Sequence, residues 1–192
     1  MDGNDKASDA LAFVFDTFGT TDKVTLSRSD LRGLADEPNL ARLVMATVVW
    51  GYTRGMRGNH VKNLINDLDA LTQLLSQARA APITDWKKHY LNVKTIGGVG
   101  PSTYTKFLNF LSVKVHGHSA LILDDRIIQV ASQGNWKELA PLRRLSNSNA
   151  VDLYPNYLVE MHSVANSLEV SPEALEFFLF EFGLNLKPLS GP

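Results

Sequence analysis

Apolar residues recur at helical spacing along most of the chain, whereas alternating, strand-like patterns are scarce. The segment Leu121-Ile-Leu123 fits either a short strand or a buried apolar connector, and residues 135–149 show no clear period. We therefore expect an all-α fold. The predicted helices cover residues 7–18, 39–50, 60–80, 86–93, 101–113, 125–132, 154–168 and 172–182.

Several predicted helix ends carry residues that are typical of helix caps. Ser171 precedes Pro172, which places a capping side chain before a proline at the first helical position, and Gly183 stands where a terminating glycine belongs. Thr84-Asp85 resembles the entry to a helix that runs to Val93. These signals make the boundaries of the helices at 86–93 and 172–182 the clearest in the chain.

Composition limits the class of protein. The 192 residues, 44% of them hydrophobic and 20% charged, are enough to bury a sizeable core, so we expect a single compact domain over residues 1–192. No apolar run approaches the ~18 residues of a membrane span, and the start "MDGNDKASDA" lacks the basic and then apolar pattern of a secretory signal. We expect a soluble cytoplasmic protein with no membrane partner. The absence of cysteine excludes disulfides, thiolate zinc sites and cysteine-ligated iron–sulfur clusters.

One glycine-rich stretch stands between two predicted helices. Lys94-Thr-Ile-Gly-Gly-Val-Gly100 forms a tight turn between the helices at 86–93 and 101–113. Its glycines allow a positive φ and the close approach of another molecule, and the N–H groups at the start of the second helix form an anion site. The alternative is a turn that only connects two helices.

The residues of this stretch resemble a known DNA-binding motif. Ile96-Gly-Gly-Val-Gly100 resembles the hairpin of helix-hairpin-helix proteins, and about twenty residues later an apolar run ends at Asp124 in "ALILDDRIIQVA". This pairing is similar to the helix-hairpin-helix DNA glycosylase superfamily. A more specific resemblance is to the bacterial 8-oxoguanine DNA glycosylase OGG-like proteins. It rests on Gly98-Val-Gly-Pro-Ser102, Thr105-Lys-Phe-Leu108, Leu121-Ile-Leu-Asp124, "VVWGYTRG" at residues 48–55 and the closing "EALEFFLFEFG".

The resemblance implies a two-lobed helix-hairpin-helix glycosylase fold, with the hairpin at about 86–113 and the N- and C-terminal helices sharing a lobe. It also implies a DNA glycosylase that flips a modified purine such as 8-oxoguanine out of the duplex, because a stacked base is inaccessible. Asp124 is the candidate for the carboxylate that stabilises the oxocarbenium-like state. Asp125 is the alternative, because the Asp-Asp pair leaves the register open by one residue, and either side chain also suits a helix cap.

The candidate nucleophile is displaced relative to the superfamily. Members with AP-lyase activity carry a lysine two residues after the second hairpin glycine, and Ser102 occupies that position here. Lys106 lies four residues further on, one helical turn away on the same face, and is our candidate for a displaced nucleophile. In one alternative, Lys106 is a solvated lysine beside an apolar stripe. If Lys106 is not the nucleophile, water takes that role and the protein is monofunctional. Tyr104 replaces a small residue of many relatives, which predicts looser packing of the two hairpin helices.

A net charge of −1 and a pI of 6.5 do not indicate nucleic-acid binding, so basic charge must be local. Acidic residues are sparse from residue 86 to residue 123, and two arginines stand in "GYTRGMRGNH". Trp50 and Tyr52 are candidates for stacking on the flipped base or wedging into the duplex, although either also suits the core. The predicted DNA contacts are Lys94, Gly98, Val99, Gly100, Ser102, Arg54, Arg57 and Arg126, with Lys114 nearby.

Two alternatives to the glycosylase remain open at this point. A non-catalytic helix-hairpin-helix module would bind the DNA backbone and recruit a partner. A helical protein-interaction domain would have no DNA affinity and would leave the glycine hairpin without a role. His116 and His118 in "VHGHSA" suggest a metal pair, but they lack a carboxylate partner, so we expect no metal and no cofactor. The predicted partner is double-stranded DNA with a damaged or modified base, and the predicted location is the cytoplasm, at the nucleoid.

Overall fold

The computed structural model of the chain describes residues 25–52 and 59–186. Within these ranges the backbone is mostly helical, and a two-stranded antiparallel hairpin is the only sheet. The predicted all-α fold is confirmed. The helices are α1 (Arg28–Ala35), α2 (Ala41–Gly51), α3 (His60–Asn66), α4 (Leu68–Ala80), α5 (Trp86–Val93), α6 (Pro101–Phe110), α7 (Asp125–Gln133), a 3-10 helix (Lys137–Leu142), α8 (Ala150–Ser167) and α9 (Pro172–Phe182). The strands are β1 (Lys114–Val115) and β2 (His118–Ser119).

The capping residues place α5, α6 and α9 where the sequence predicts them. Asp85 accepts the N–H of Lys88 and begins α5, Pro101 is the first residue of α6, and Ser171 accepts the N–H of Ala174 and begins α9. The helix α1 was not predicted, although Ser27 and Asp30 form a reciprocal capping box at its start. The helix predicted at 7–18 lies outside the described residues. None of the helices within them has both the length and the hydrophobicity of a transmembrane span.

The prediction of one helix over residues 60–80 is wrong. Helix α3 ends at Asn66 and α4 begins at Leu68, with Asp67 between them. The Asp67 carboxylate accepts the backbone N–H of Gly97 at 2.6 Å. The break therefore places a half-buried hydrogen-bond acceptor against the glycine-rich turn. The helical period of residues 60–80 does not reveal this break.

Helix α6 lies at the centre of one hydrophobic core and contacts α1, α2 and α4. Residues 103–110 are all buried, including the polar side chains of Thr105 and Asn109. Thr105 Oγ1 accepts the N–H of Leu123 at 3.1 Å, and Asn109 Nδ2 donates to the Ala120 carbonyl at 2.9 Å. These bonds hold the chain segment that leads to α7 against α6.

The segment 120–123 is a buried connector, not a strand. Tyr154 and Tyr157 of α8 donate their hydroxyl protons to the carbonyls of Leu121 and Ile122, each at 2.8 Å. Because a buried backbone without partners is costly, these bonds replace the missing sheet ladder. The connector is thereby clamped between α6 and α8, and it delivers Asp124 to the start of α7 in a fixed position.

The glycine-rich turn packs against its own protein. Gly98 has φ +79°, and a Cβ there would lie 2.2 Å from the His60 carbonyl oxygen of α3. The side chains of Ile96 and Val99 are buried, while Gly100 is exposed with open space around its Cα. The close approach that we expected DNA to make at Gly98 is therefore made by α3, and the exposed part of the turn is its end at Gly100.

Gly98→Ala should destabilise the protein by at least about 2 kcal/mol, because the new methyl group meets a backbone carbonyl and the residue must keep a positive φ. The measurement is urea unfolding followed by circular dichroism. Gly100→Ala is the matched control, since nothing lies within 4 Å of its Cβ position, and its free energy of unfolding should change by less than about 1 kcal/mol. Equal stability of the two variants would show that the turn is not packed in this way.

Candidate active site

Four separate parts of the chain meet at an open pocket of about 400 Å³, which we call the catalytic pocket after the two predicted catalytic residues that line it. It lies at the end of α2, at the beginnings of α6 and α7, and beside the residues that follow α9. Its lining contains both predicted catalytic residues and two of the predicted DNA contacts, Ser102 and Arg126. The lining residues are Gly51, Tyr52, Ser102, Lys106, Asp124, Asp125, Arg126, Gln129 and Leu184.

Asp124 is the N-cap residue of α7. Its Oδ1 accepts the N–H of Ile127 at 3.1 Å, and its side chain is half-buried in the catalytic pocket. No hydrogen bond to Oδ2 is formed by any residue in the described ranges. The carboxylate is thus fixed through one oxygen, and the other oxygen is available to a bound molecule.

Asp125, the alternative carboxylate, is placed differently. Its side chain is exposed, and its two oxygens accept hydrogen bonds from Gln129 Nε2 at 2.6 Å and from Asn147 Nδ2 at 2.8 Å. Both oxygens therefore have partners in the folded chain. This geometry favours Asp124 over Asp125 as the carboxylate that acts on a bound molecule.

Lys106 is buried, so the alternative of a solvated lysine is wrong. Only 6% of the residue is exposed, and its Nζ lies 6.0 Å from the ring centroid of Trp50 and 5.6 Å from that of Tyr52. Nζ also donates a long hydrogen bond of 3.5 Å to Ser102 Oγ. Ser102 and Lys106 therefore share one face of α6, as their spacing predicts. The Lys106 amine lies beside Ser102, where relatives with AP-lyase activity carry their lysine.

The surroundings of Lys106 favour its neutral amine. Burial lowers its pKa, and the nearby positive charge of Arg28 lowers it further, while the carboxylates of Asp124 and Glu176 oppose this shift. Within the described residues no direct ion pair joins Lys106 to Asp124, although both line the catalytic pocket. A buried amine with a lowered pKa is a stronger nucleophile at neutral pH than an exposed lysine.

Gly51 provides the space for the Lys106 amine. A Cβ at this position would lie 3.2 Å from Nζ, so an alanine would displace the end of the lysine by a few tenths of an ångström. If Lys106 is the nucleophile, Gly51→Ala should lower the rate of Schiff-base formation at an abasic site by about tenfold, because attack depends on close alignment. The measurement is borohydride trapping under single-turnover conditions.

Gly33→Ala is the control for this substitution, because nothing lies within 4 Å of its Cβ position on the exposed side of α1. Both changes add one methyl group to a helix. An unchanged trapping rate in Gly51→Ala, with correct folding, would contradict the assignment of Lys106.

Trp50 and Tyr52 form the wall on the α2 side of Lys106. Trp50 is half-buried and packs edge-on against Phe110 with centroids 5.4 Å apart. The Tyr52 hydroxyl and Thr103 Oγ1 are hydrogen-bonded at 2.7 Å. Both rings are therefore held in place with one side toward Lys106, which suits a stacking surface. Their role as a base pocket or wedge stays a prediction.

The predicted DNA contacts differ in how accessible they are. Lys94 and Gly100 are exposed, Ser102 is half-buried at the catalytic pocket, and the Val99 side chain is buried. Arg126 lines the pocket but is held by α9, since its Nη2 donates to the Glu181 carbonyl at 3.0 Å. Two further candidates, Arg54 and Arg57, lie outside the described residues. Gly98 contacts α3, as described above.

The two histidines of "VHGHSA" contact different residues. His116 Nε2 accepts the N–H of Trp86 at 3.3 Å, and His118 packs edge-on against His162 with ring centroids 4.9 Å apart. Within the described residues no three metal-ligating side chains are grouped so that they could hold an ion.

A buried ion pair near the catalytic pocket was not predicted. Arg28 of α1 donates from Nη1 and Nη2 to the two carboxylate oxygens of Glu176 in α9, at 2.8 and 3.0 Å. Glu176 is completely buried, and burial raises its pKa while Arg28 opposes that rise. The partners are 148 residues apart in the sequence. The available signal was a glutamate among the apolar residues of "EALEFFLFEFG", which does not identify a partner.

One family model matches the chain over residues 4–180, and its description is "Putative 8-oxoguanine DNA glycosylase OGG-like protein". The matched range contains the hairpin, both pocket residues Lys106 and Asp124, and the Arg28–Glu176 pair. No curated protein and no solved structure matches the chain.

Proposed function

We propose a base-excising activity on duplex DNA for this chain, because it belongs to the OGG-like family of putative 8-oxoguanine DNA glycosylases. The proposed substrate is an oxidised or otherwise modified purine of the 8-oxoguanine type, and the proposed place of action is the nucleoid. The observation that supports a catalytic role most strongly is that one pocket contains the buried Lys106 and the carboxylate of Asp124, which uses only Oδ1 to cap α7 within the described residues.

Binding would begin at the start of α6. Gly100 is the N-cap residue of this helix and has no side chain that could cap it, so the N–H groups of the first turn are available to a phosphate oxygen. Lys94 would add a positive charge beside the same strand. A phosphate held there lies next to the catalytic pocket, because Ser102 belongs to both the first turn of α6 and the pocket lining. The flipped nucleotide would then place its sugar in the catalytic pocket.

Asp124 would act on the sugar. Cleavage of the N-glycosidic bond builds positive charge on the sugar ring, and a fixed carboxylate beside it lowers the barrier electrostatically. The hydrogen bond from Ile127 fixes Oδ1, and the clamped connector 120–123 fixes the backbone. The carboxylate therefore needs no reorganisation when the charge develops.

Lys106 would serve as the nucleophile. Its neutral amine attacks the anomeric carbon, the bond to the base breaks, and the base leaves with the bonding electron pair and takes up a proton. Loss of a proton from nitrogen and opening of the ring give a Schiff base between Nζ and the sugar. Elimination of the 3′ phosphate from that Schiff base would nick the strand, which is the AP-lyase activity.

The test is incubation of the full-length protein with duplex oligonucleotides that each carry one modified base, with and without borohydride. We expect release of 8-oxoguanine or a related oxidised purine, and a covalent protein–DNA adduct when borohydride is present. Tight binding without release of any base would instead indicate the non-catalytic helix-hairpin-helix module. Absence of DNA affinity at low salt would contradict both functions.

A further inference from the structure

A second groove, of about 680 Å³, opens beside the catalytic pocket between α1 and α9, and we call it the α1–α9 groove. Its walls include three aromatic rings, those of Trp50, Phe177 and Phe180. Phe177 is 46% exposed, although it belongs to a helix with a well-formed buried face. An exposed aromatic ring and a half-buried one in the same groove are surfaces on which a planar ring can stack.

The groove and the catalytic pocket are connected by two cation–ring contacts. The Lys106 amine of the pocket lies 6.0 Å from the Trp50 ring centroid of the groove. The Arg126 guanidinium of the pocket lies 5.2 Å from the Phe180 ring centroid of the groove. A nucleotide whose sugar lies between Lys106 and Asp124 would therefore have the groove as an adjoining apolar space for its base.

Arg28 is the polar group inside this groove. Its guanidinium carbon lies 5.8 Å from the Trp50 centroid and 5.1 Å from the Phe177 centroid, and 18% of its side chain is exposed. An arginine has five N–H donors, and Glu176 takes two of them. Glu173 is 3.9 Å from Nη1, which is too long for a hydrogen bond. Nε of Arg28 is buried, and within the described residues only Glu176 accepts a hydrogen bond from Nη1 or Nη2. The second hydrogen of each Nη is thus the donor for a ligand, while Glu176 fixes the orientation of the guanidinium.

Hydrogen-bonding capacity decides which bases the groove can hold. Arg28 has only donors, so a base in the groove must present an acceptor, such as a keto oxygen, to its guanidinium. The charge of Arg28 is itself balanced by the Glu176 carboxylate. Of the two acidic side chains that line the groove, Glu173 is bonded to Arg32 and Glu181 is solvent-exposed.

We infer that the α1–α9 groove receives the flipped base, and that Arg28 selects it by donating a hydrogen bond to a keto oxygen. This inference rests on the proposed function and adds the feature of the base that is recognised: a base that turns a keto oxygen toward Arg28 is accepted. Arg28 acts as a specificity-determining residue and takes no part in cleavage at the sugar.

The test compares two substrates of the same protein. Release of 8-oxoguanine needs recognition of the base, whereas borohydride trapping on a preformed abasic site needs only the catalytic pocket. The double variant Arg28→Met with Glu176→Leu replaces the ion pair by apolar side chains, which avoids leaving one buried charge unpaired. Removing both residues also removes two effects on the Lys106 charge that act in opposite directions.

We expect release of 8-oxoguanine to fall about 10- to 100-fold in the double variant, the range for one lost hydrogen bond to a charged group, with trapping on the abasic site unchanged. Arg28→Lys keeps a positive charge beside the Glu176 carboxylate but loses the planar guanidinium, and it serves as the second variant if the double variant does not fold. Arg32→Met removes an exposed arginine of the same helix, which pairs with Glu173, and is the matched control; it should release the base at the wild-type rate.

Unchanged release by the folded double variant or by Arg28→Lys would overturn the inference and leave the proposed glycosylase intact. Loss of trapping together with release would show that Arg28 supports the catalytic pocket and does not select the base. Failure of the wild type both to release any base and to form an adduct would overturn the proposed function itself.

Discussion

Asp124→Asn should lower the rate of base release by about 10²- to 10³-fold, the range seen when one electrostatic stabiliser of a transition state is removed. Asparagine keeps the shape of the side chain and remains a good N-cap residue, so α7 should still begin at the same place. The affinity for duplex DNA should stay the same or rise slightly, because a negative charge is removed from the binding face. The measurement is single-turnover release of the modified base, together with a binding titration at fixed salt.

Asp125→Asn is the matched control for this substitution. The two residues are adjacent, and the change removes the same charge, but the Asp125 oxygens are already bonded to Gln129 and Asn147. Its release rate should stay within a few-fold of the wild type. A large loss in Asp125→Asn with normal release in Asp124→Asn would reverse the assignment of the two carboxylates.

Lys106→Met should reduce borohydride trapping by more than about 10³-fold, because the substitution removes the attacking nitrogen and keeps an unbranched side chain of similar length. Release of the base should fall less, since water can replace the amine as nucleophile while Asp124 is intact. The same variant should be more stable than the wild type by about 1 kcal/mol at neutral pH, because a buried charge is lost. Lys94→Met removes an exposed lysine and should weaken DNA binding without changing the trapping chemistry.

The pH dependence of the stability and of the trapping rate follows from the lowered pKa of Lys106. The folded protein binds a proton at this site less readily than the unfolded chain, so the charged lysine destabilises the fold fully at pH values below its native pKa. This penalty decreases as the pH rises through the native pKa toward 10.5, the ordinary value for lysine. The stability advantage of Lys106→Met should therefore disappear in that alkaline range, and the trapping rate of the wild type should rise with pH and level off below 10.5. A trapping rate that still rises above pH 10.5 would contradict a desolvated amine.

The elements that could be predicted from the sequence are those whose signals are local. Asp85, Pro101 and Ser171 mark helix starts through bonds within their own first turn, and the structure begins helices at all three places. The place of Asp124 at a helix start is also a local pattern, whereas its candidate role came from the resemblance to the glycosylase superfamily. The exposed start of α6 also follows from Gly100 and Pro101 alone.

The features that were missed depend on contacts between distant residues. Residues 60–80 have an unbroken helical period, and their break at Asp67 is explained by a hydrogen bond to Gly97, 30 residues away. Lys106 resembles a solvated lysine in its own helix, and its burial arises from Trp50 and the side-chain-free Gly51 of α2. Nothing in the sequence near either partner reveals that Arg28 and Glu176 form a buried pair.

The most direct test of the account is to identify the amino acid that forms the covalent bond to DNA. The wild-type protein is trapped with borohydride on a duplex that contains a single abasic site, the adduct is digested, and the modified peptide is sequenced by mass spectrometry. We predict that the DNA fragment is attached to Nζ of Lys106. Attachment to another lysine or to the N-terminal amine, or release of a modified base by a protein that forms no adduct, would contradict the proposal that Lys106 and Asp124 act together on one sugar.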